Sequence, residues 1–329
     1  MASRKANNSK PVFRIIFFRG QTLTVLYTIA FFLILISCQN LGNDKSNQAS
    51  DKKNNAITFT PEILIESLPK KVRETSGLAQ YDDLIWTIND SGGGNIIYGL
   101  NKISGKVKRE IVIKKAKNHD WEALASDEDF IYIADVGNNK GNRTDLKVYK
   151  VNKKSLKKGN EDAKSDAIFF TYPDQKVYLR TKRRTRFDCE AMISYGDSLI
   201  LFTKDWFTYK TTMYSLPKEP GSYEARYMDT FKANGLITGA DISEDGKVLV
   251  LCGYSNFDPF LWVFEDYQGT NFFDGNITRI EYPSFRDAQT EAVLFLGDSA
   301  IAVSAERSPS YPQRLYSFPQ SIIMQARDE

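Results

Sequence analysis

Five stretches of this chain share one pattern: ETSGLAQYDDLIWTIND (Glu74–Asp90), DWEALASDEDFIYIADVG (Asp120–Gly137), DCEAMISYGDSLILFTKD (Asp188–Asp205), TGADISEDGKVLVLCGYS (Thr238–Ser255) and QTEAVLFLGDSAIAVSAE (Gln289–Glu306). Each runs from a small or acidic residue through an apolar anchor to a turn of Asp, Gly or Ser, then into a β-rich run. The anchors are Leu78, Leu124, Met192, Ile242 and Val293, spaced by 46, 68, 50 and 51 residues. Short strands recurring about every fifty residues are the signature of propeller blades.

The segments between the repeats supply further strands. They are IIYGLN (Ile96–Asn101) and KVKREIVI (Lys106–Ile113), LKVYKV (Leu146–Val151) and AIFFTYP (Ala167–Pro173), then TTMYSL (Thr211–Leu216) and ARYMDTF (Ala225–Phe231). FLWVFED (Phe260–Asp266) and ITRIEYP (Ile277–Pro283) follow. All are aromatic or β-branched and bounded by turn residues, and no window keeps a helical period. The last repeat has only RLYSFP (Arg314–Pro319) after it, so its outer strand is missing. The run ITFTPEILIES (Ile57–Ser67) has no other home, and placing it there removes an exposed sheet edge. The expectation is an all-β, five-bladed β-propeller over residues 57–329, closed by this N-terminal strand. Six blades remain open if the interval between Leu124 and Met192 hides another.

Residues 1–37 carry Arg4, Lys5, Lys10, Arg14 and Arg19 with no acid, and Gln21–Ser37 is free of charge and rich in Leu, Ile and Phe. The stretch closes on Leu35-Ile36-Ser37-Cys38, which resembles the lipobox of bacterial lipoproteins. That resemblance implies a signal peptide over 1–37, cleavage before Cys38 and a diacylglyceryl and fatty-acyl (palmitate-type) anchor on it, a multi-chain attachment that holds far better than one acyl chain. The alternative is an uncleaved anchor helix that happens to end in Cys. Both place the rest of the chain outside the cytoplasm, in the cell envelope on the periplasmic or outer-membrane side. Residues 38–56 are almost wholly Asn, Lys, Ser, Asp and Gln after the cysteine and read as a flexible tether.

Composition narrows the function classes. With 42% hydrophobic and 26% charged residues, the 329-residue chain is not disordered as a whole. Three cysteines cannot build a disulfide scaffold, and a single histidine, His119, excludes a multi-histidine zinc site. Setting aside the five basic residues of 1–37 leaves 39 basic against 41 acidic residues, a net charge of −2. A nucleic-acid footprint is therefore not indicated. The reading is a monomer held to the membrane by its lipid, with a small-molecule or protein ligand.

In a propeller the inner strand starts, and the second strand ends, on one face. Residues flanking each repeat therefore converge on one mouth of the central channel. Glu74, Asp90, Glu122, Asp135, Glu190 and Glu291 are the candidate metal ligands, with Asp241 expected to offset Ala240 in the fourth blade. Carboxylates gathered without counter-charge must protonate, pair or bind a cation. Oxygen donors without His or Cys fit Ca²⁺ or another hard divalent ion. Hydrogen bonding of Glu122, Glu190 and Glu291 to the backbone amides of the next blade fits the repeat as well, as does direct catalysis.

RTKRRTR (Arg180–Arg186), with Arg183 at its centre, sits just upstream of the third repeat and could take phosphate or an acidic sugar, joined by Arg143, Lys204 and Arg307. A solvated loop is the plainer use of such a run. His119 beside Asp120 is a candidate base. Ser91 in NDSGG reads as a tight-turn residue, since the strand-turn-helix setting of a nucleophile is missing. Cys189 and Cys252 are placed in inner strands of adjacent blades, as a disulfide or as two buried thiols.

The pattern E-x-SGLA, LW, a D-G-type turn and D-x-EG/A-L resembles the SdiA-regulated propellers. It is similar, more loosely, to secreted phytase-like or esterase-like propellers, through NDSGG (Asn89–Gly93), DWEALA (Asp120–Ala125) and ADVGNN (Ala134–Asn139). The resemblance spans most of residues 70–310 and implies architecture more than activity. Two functions follow. One is a binding module that grips a ligand or partner at the channel mouth through a divalent cation. The other, implied by the phytase-like resemblance, is a metal-dependent hydrolase of phosphoesters, lactones or other esters.

Overall fold

The computed structural model describes residues 55–325 other than 91, 183 and 184. Lys52–Glu329 forms one compact unit. The signal segment, Cys38 and most of the tether lie outside the described residues. Two short strands come first, β1 (Asn55–Thr58) and β2 (Glu62–Ile65). Blade I follows with β3 (Thr75–Tyr81), β4 (Leu84–Asn89), β5 (Ile96–Asn101) and β6 (Val107–Lys114), and blade II with β7 (Trp121–Ser126), β8 (Phe130–Asp135), β9 (Lys147–Asn152) and β10 (Asp162–Thr171). Blade III holds β11 (Asp188–Tyr195), β12 (Ser198–Lys204), β13 (Thr211–Pro217) and, after the short β14 (Gly221–Glu224), β15 (Arg226–Phe231). Blade IV holds β16 (Leu236–Ile242), β17 (Val248–Ser255), β18 (Asp258–Glu265) and β19 (Asn276–Glu281), and blade V β20 (Thr290–Leu296), β21 (Ala300–Ala305) and β22 (Arg314–Pro319). Consecutive strands pair antiparallel within each blade.

The five inner strands meet in a closed ring: β3 against β7, β7 against β11, β11 against β16, β16 against β20, and β20 back against β3. The core follows the ring. Among the described residues it forms five apolar clusters, one at each blade interface, the last joining blades V and I through Leu78, Ile85, Leu100, Leu294 and Leu315. Trp86, Trp121 and Trp262 are fully buried, and each indole N–H donates to a backbone carbonyl, of Tyr81, Lys117 and Ala233 respectively. The indoles can fill these interfaces because their polar edge is satisfied. Among the described residues, the interval between Leu124 and Met192 contains the strands β8, β9 and β10 and no further blade.

Two details differ from the expected layout. The run 57–67 is two strands, because Pro61 lacks the N–H that a continuous ladder needs. Only β2 closes blade V, pairing antiparallel with β22, while β1 adds in parallel to β19 of blade IV. Second, β10 is longer than its apolar run, and both its ends make extra pairings: residues 162–164 lie parallel to β6, and residues 168–171 parallel to β14.

Candidate functional site: a cavity aimed by five β-bulges

Each inner strand carries a bulge at the same place. The register with the second strand skips one residue between Ser76 and Leu78, Trp121 and Ala123, Cys189 and Ala191, Ile237 and Gly239, and Thr290 and Ala292. The extra residues are Gly77, Glu122, Glu190, Thr238 and Glu291. A bulge bends its strand and re-aims the extra side chain. Three of the five positions thus deliver a glutamate to one end of the channel.

The ring is asymmetric for a reason other than the expected one. Blade IV has Thr238 at the bulge, neither Ala240 nor Asp241. Asp241 lies toward the opposite mouth, where it accepts the Phe295 N–H at 2.7 Å. Burial pushes its carboxyl up to about 7. Blade I has Gly77 at φ +66°, and a Cβ there would overlap the Leu124 backbone nitrogen. The flanking hydroxyls fix neighbouring blades: Ser76 Oγ donates to Glu122 O, and Thr238 Oγ1 to Thr290 O, both at 2.6 Å. Blade order is tied here by hydroxyls, and among the described residues the side-chain carboxylates of Glu122 and Glu291 accept no hydrogen bond.

Ser76, Asp90, Glu122, Asn139, Glu190, Lys204, Trp206, Tyr254, Gln289, Glu291 and Glu306 line a cavity of about 140 Å³ at this mouth. It divides into two halves. On the blade III–V side Lys204 Nζ lies 2.5 Å from Glu190 Oε2, and 4.7 and 5.4 Å from the ring centres of Trp206 and Tyr254. Burial alone would lower this ammonium, but Glu190, Tyr254, Glu291 and Asp188 hold it well above its ordinary value. Burial raises Glu190 even with Lys204 beside it. Burial outweighs Lys204 at Glu291 as well, and with Glu306 and Asp90 near pushes it up to about 8. Glu306 rises to about 7 through burial and Asp90.

On the blade I–II side Asp90 and Glu122 line the cavity, Asp120 stands beside them in the adjoining rim pocket, and Arg143 offsets the charge of Asp120 only in part. Carboxylate oxygens of Asp90, Asp120 and Glu122 lie within 4.8 Å of one another, with Glu122 buried and the other two half-buried. Burial and then Asp90 push Asp120 up to about 7. Glu122 stands well above its ordinary range through burial, Glu190, Asp90 and Asp120. Gly137 packs its backbone directly on this pair, since a Cβ there would overlap both Asp120 Oδ2 and Glu122 Oε1. Buried carboxylates that repel one another cost free energy unless protonated or compensated by a cation. Three hard oxygen donors at this spacing suit Ca²⁺ or a similar ion.

Of the proposed ligands, Asp90, Glu122, Glu190 and Glu291 meet in the cavity; Glu74 and Asp135 do not line it. Glu74 turns to Arg73, with Oε1 3.3 Å from Nε. Asp135 is fully buried beneath the rim between Arg143 Nη2 at 3.0 Å and Lys147 Nζ at 3.2 Å. Arg143 is spent on that network, also meeting Asp145 and the Gly137 carbonyl. Lys204 is ion-paired inside the cavity, Arg307 is exposed and outside its lining, and Arg183 and Ser91 lie outside the described residues. His119 Nδ1 sits 2.7 Å from Asp145 Oδ2, in a separate rim pocket shared with Asp120. Cys189 and Cys252 are both free and buried, and Cys252 is in β17, a second strand rather than an inner one.

Sequence reasoning passed over Trp206, Tyr254 and Gln289, and left Asp120 out of the ligand set. The signal for Tyr254 was register. It faces Leu236, two before the bulge, as Lys204 faces Asp188. Asp120 stands two before its own bulge residue.

No family model matches the chain, and no curated protein matches it. Among solved structures it is similar to the PQQ-bound aldose sugar dehydrogenase of Streptomyces coelicolor, at 8% identity and TM-score 0.48 over 79% of this chain and 96% of that one. It is also similar to the Cps50 (Swd1) β-propeller domain of Myceliophteria thermophila, at 9% identity and TM-score 0.41 over 78% and 98%. A third is a Bacteroides fragilis protein described as exported, at 10% identity and TM-score 0.38 over 80% and 99%. Likenesses this distant carry nothing about activity. On its own topology the chain is a β-propeller: among the described residues, five inner strands meet in a closed ring.

Proposed function

We propose that this chain is an envelope lipoprotein of the SdiA-regulated kind whose propeller binds a small ligand at the bulge-lined mouth through a hard divalent cation held by Asp90, Asp120 and Glu122. The observation that carries the reading is Glu122: a buried carboxylate facing the cavity, beside two more, with no donor among the described residues. The chemistry a cation supplies there is charge compensation and a point of attachment for an oxygen-bearing ligand. Glu190, Lys204 and Glu291 form the opposite wall, where the ammonium repels a second cation and offers a donor to the ligand. Calorimetric titration with calcium is expected to give one site per chain, and Glu122→Gln to abolish it. Titration without heat, or unchanged binding in the variant, would contradict the reading.

A metal-dependent hydrolase of phosphoesters, lactones or other esters is the second reading. It is favoured by the half-exposed state of Asp90 and Asp120 against the buried Glu122, which leaves one side of the triad open to water or substrate.

A further inference from the structure

The basic stretch upstream of blade III is not used by the cavity, and its surroundings suggest another role. Between Lys176 and Arg186 the chain has six basic residues and no acid. The described part of this loop exposes Arg180, Lys182 and Arg186 alongside two apolar side chains, Val177 at 63% and Leu179 at 73% exposure. A third exposed apolar side chain, Phe207 at 71%, comes from the β12–β13 turn. That turn is tied to the loop, since Trp206 N donates to Thr185 O at 3.2 Å. The loop in turn is fastened to the 137–143 segment by Thr181 N to Lys140 O at 2.8 Å and Gln175 Nε2 to Gly141 O at 2.9 Å. Exposed apolar residues scattered singly need no explanation. Three on a loop and the turn tied to it share this side of the molecule with the exposed Arg180, Lys182 and Arg186; the nearby Asp205 is buried and caps the Phe207 and Thr208 N–H groups, which leaves Asp174, at the start of the loop, as the exposed acid among the described residues there.

We propose that this patch docks on an anionic lipid bilayer, with Val177, Leu179 and Phe207 entering the headgroup layer and Arg180, Lys182 and Arg186 pairing with phosphates. Charge complementarity selects this occupant. A juxtamembrane cluster of Lys and Arg is attracted to anionic lipid, and apolar side chains add burial at the acyl boundary. A protein interface would deplete Lys and would not need charge of one sign. Docking also turns the mouth toward the headgroups, so the cavity would draw its ligand from the membrane surface.

Trp206 is the built-in reporter, because it adjoins Phe207 while Trp86, Trp121 and Trp262 are fully buried. The full chain would be reconstituted into vesicles of roughly one part phosphatidylglycerol to two of phosphatidylcholine, with or without brominated acyl chains. Tryptophan fluorescence should be quenched by the brominated lipid in these vesicles and not in pure phosphatidylcholine. The quenching should fall several-fold in high salt, as screening requires, and in Arg180→Gln/Lys182→Gln. Leu179→Ser/Phe207→Ser should lose it with an unchanged melting curve, since both side chains are exposed. Equal quenching in neutral vesicles, or none in anionic ones because the patch meets a protein instead, would overturn the proposal. Calcium binding at Glu122 is measured separately, so either result leaves the cavity reading to its own test.

Discussion

Glu122 shows how much a single extra residue in a strand can do. Without the bulge its side chain would follow strand alternation; with it, a carboxylate is pushed into a cavity that already holds Asp90, Glu190, Glu291 and Glu306. The electrostatic consequence has a definite sign. Asp120 and Glu306 at about 7 and Glu291 at about 8 lie above the ordinary carboxylate range. Groups raised on folding contribute stability that is fully present below their unfolded values, near 4, and lost as pH rises through their folded ones. In chelator, the melting temperature should therefore fall by several degrees between about pH 5.5 and pH 8.5. Calcium should restore most of that loss at the upper end by mass action. Calorimetry at both pH values checks this, and a melting temperature that rises with pH in chelator would refute it. Glu122→Gln should flatten the profile. Repeat equivalence made Glu122, Glu190 and Glu291 readable as a set. It could not reveal that Gly77 and Thr238 fill the same place, because bulge register leaves no mark in residue type. Asp135 was misplaced for a related reason: it ends its strand on the right face, but Arg143 and Lys147 hold it beneath the rim.

Among the strands, β2 bears most on integrity. It is short, yet it completes blade V with residues from the other end of the chain, supported by Leu68 N to Gln313 O and by the Arg314–Glu66 pair. Ile65 is buried in the cluster between blades V and I. Ile65→Ala should cost about 2–5 kcal/mol, the range for a buried large-to-small change, measured by denaturant unfolding. Removing residues 55–66 should abolish the single cooperative transition, whereas removing 39–54 should leave it in place. Gly77→Ala tests the bulge of blade I: positive φ and overlap with Leu124 N together should cost about 2 kcal/mol or more. A neutral result would show that the bulge is not a fixed feature. Strand existence was legible because each apolar run is bounded by turn residues. Parallel additions such as β1 on β19 and β14 on β10 were not, since no local pattern encodes which edge a short strand will find.

Taken entire, the molecule separates address from chemistry. The address proposed for it rests on the basic, acid-free N-terminal stretch and Cys38. The body, at net −2 once those five basic residues are set aside, carries the cavity. Cys38→Ala should move the protein out of the membrane fraction or block its processing. An unprocessed Met1 on soluble wild-type protein would contradict lipidation. Ring closure at five blades rests on apolar interfaces that a fifty-residue repeat announces; the identity of the ligand does not, because the cavity's Trp206 and Tyr254 come from positions outside the repeated carboxylates. The claim that joins these observations is that the mouth is a cation site built by bulges. The most direct test is anomalous diffraction from crystals grown with terbium in place of calcium. One strong peak is expected about 2.5 Å from oxygens of Asp90, Asp120 and Glu122. A peak elsewhere on the molecule, or none with those three carboxylates unshielded, would contradict it.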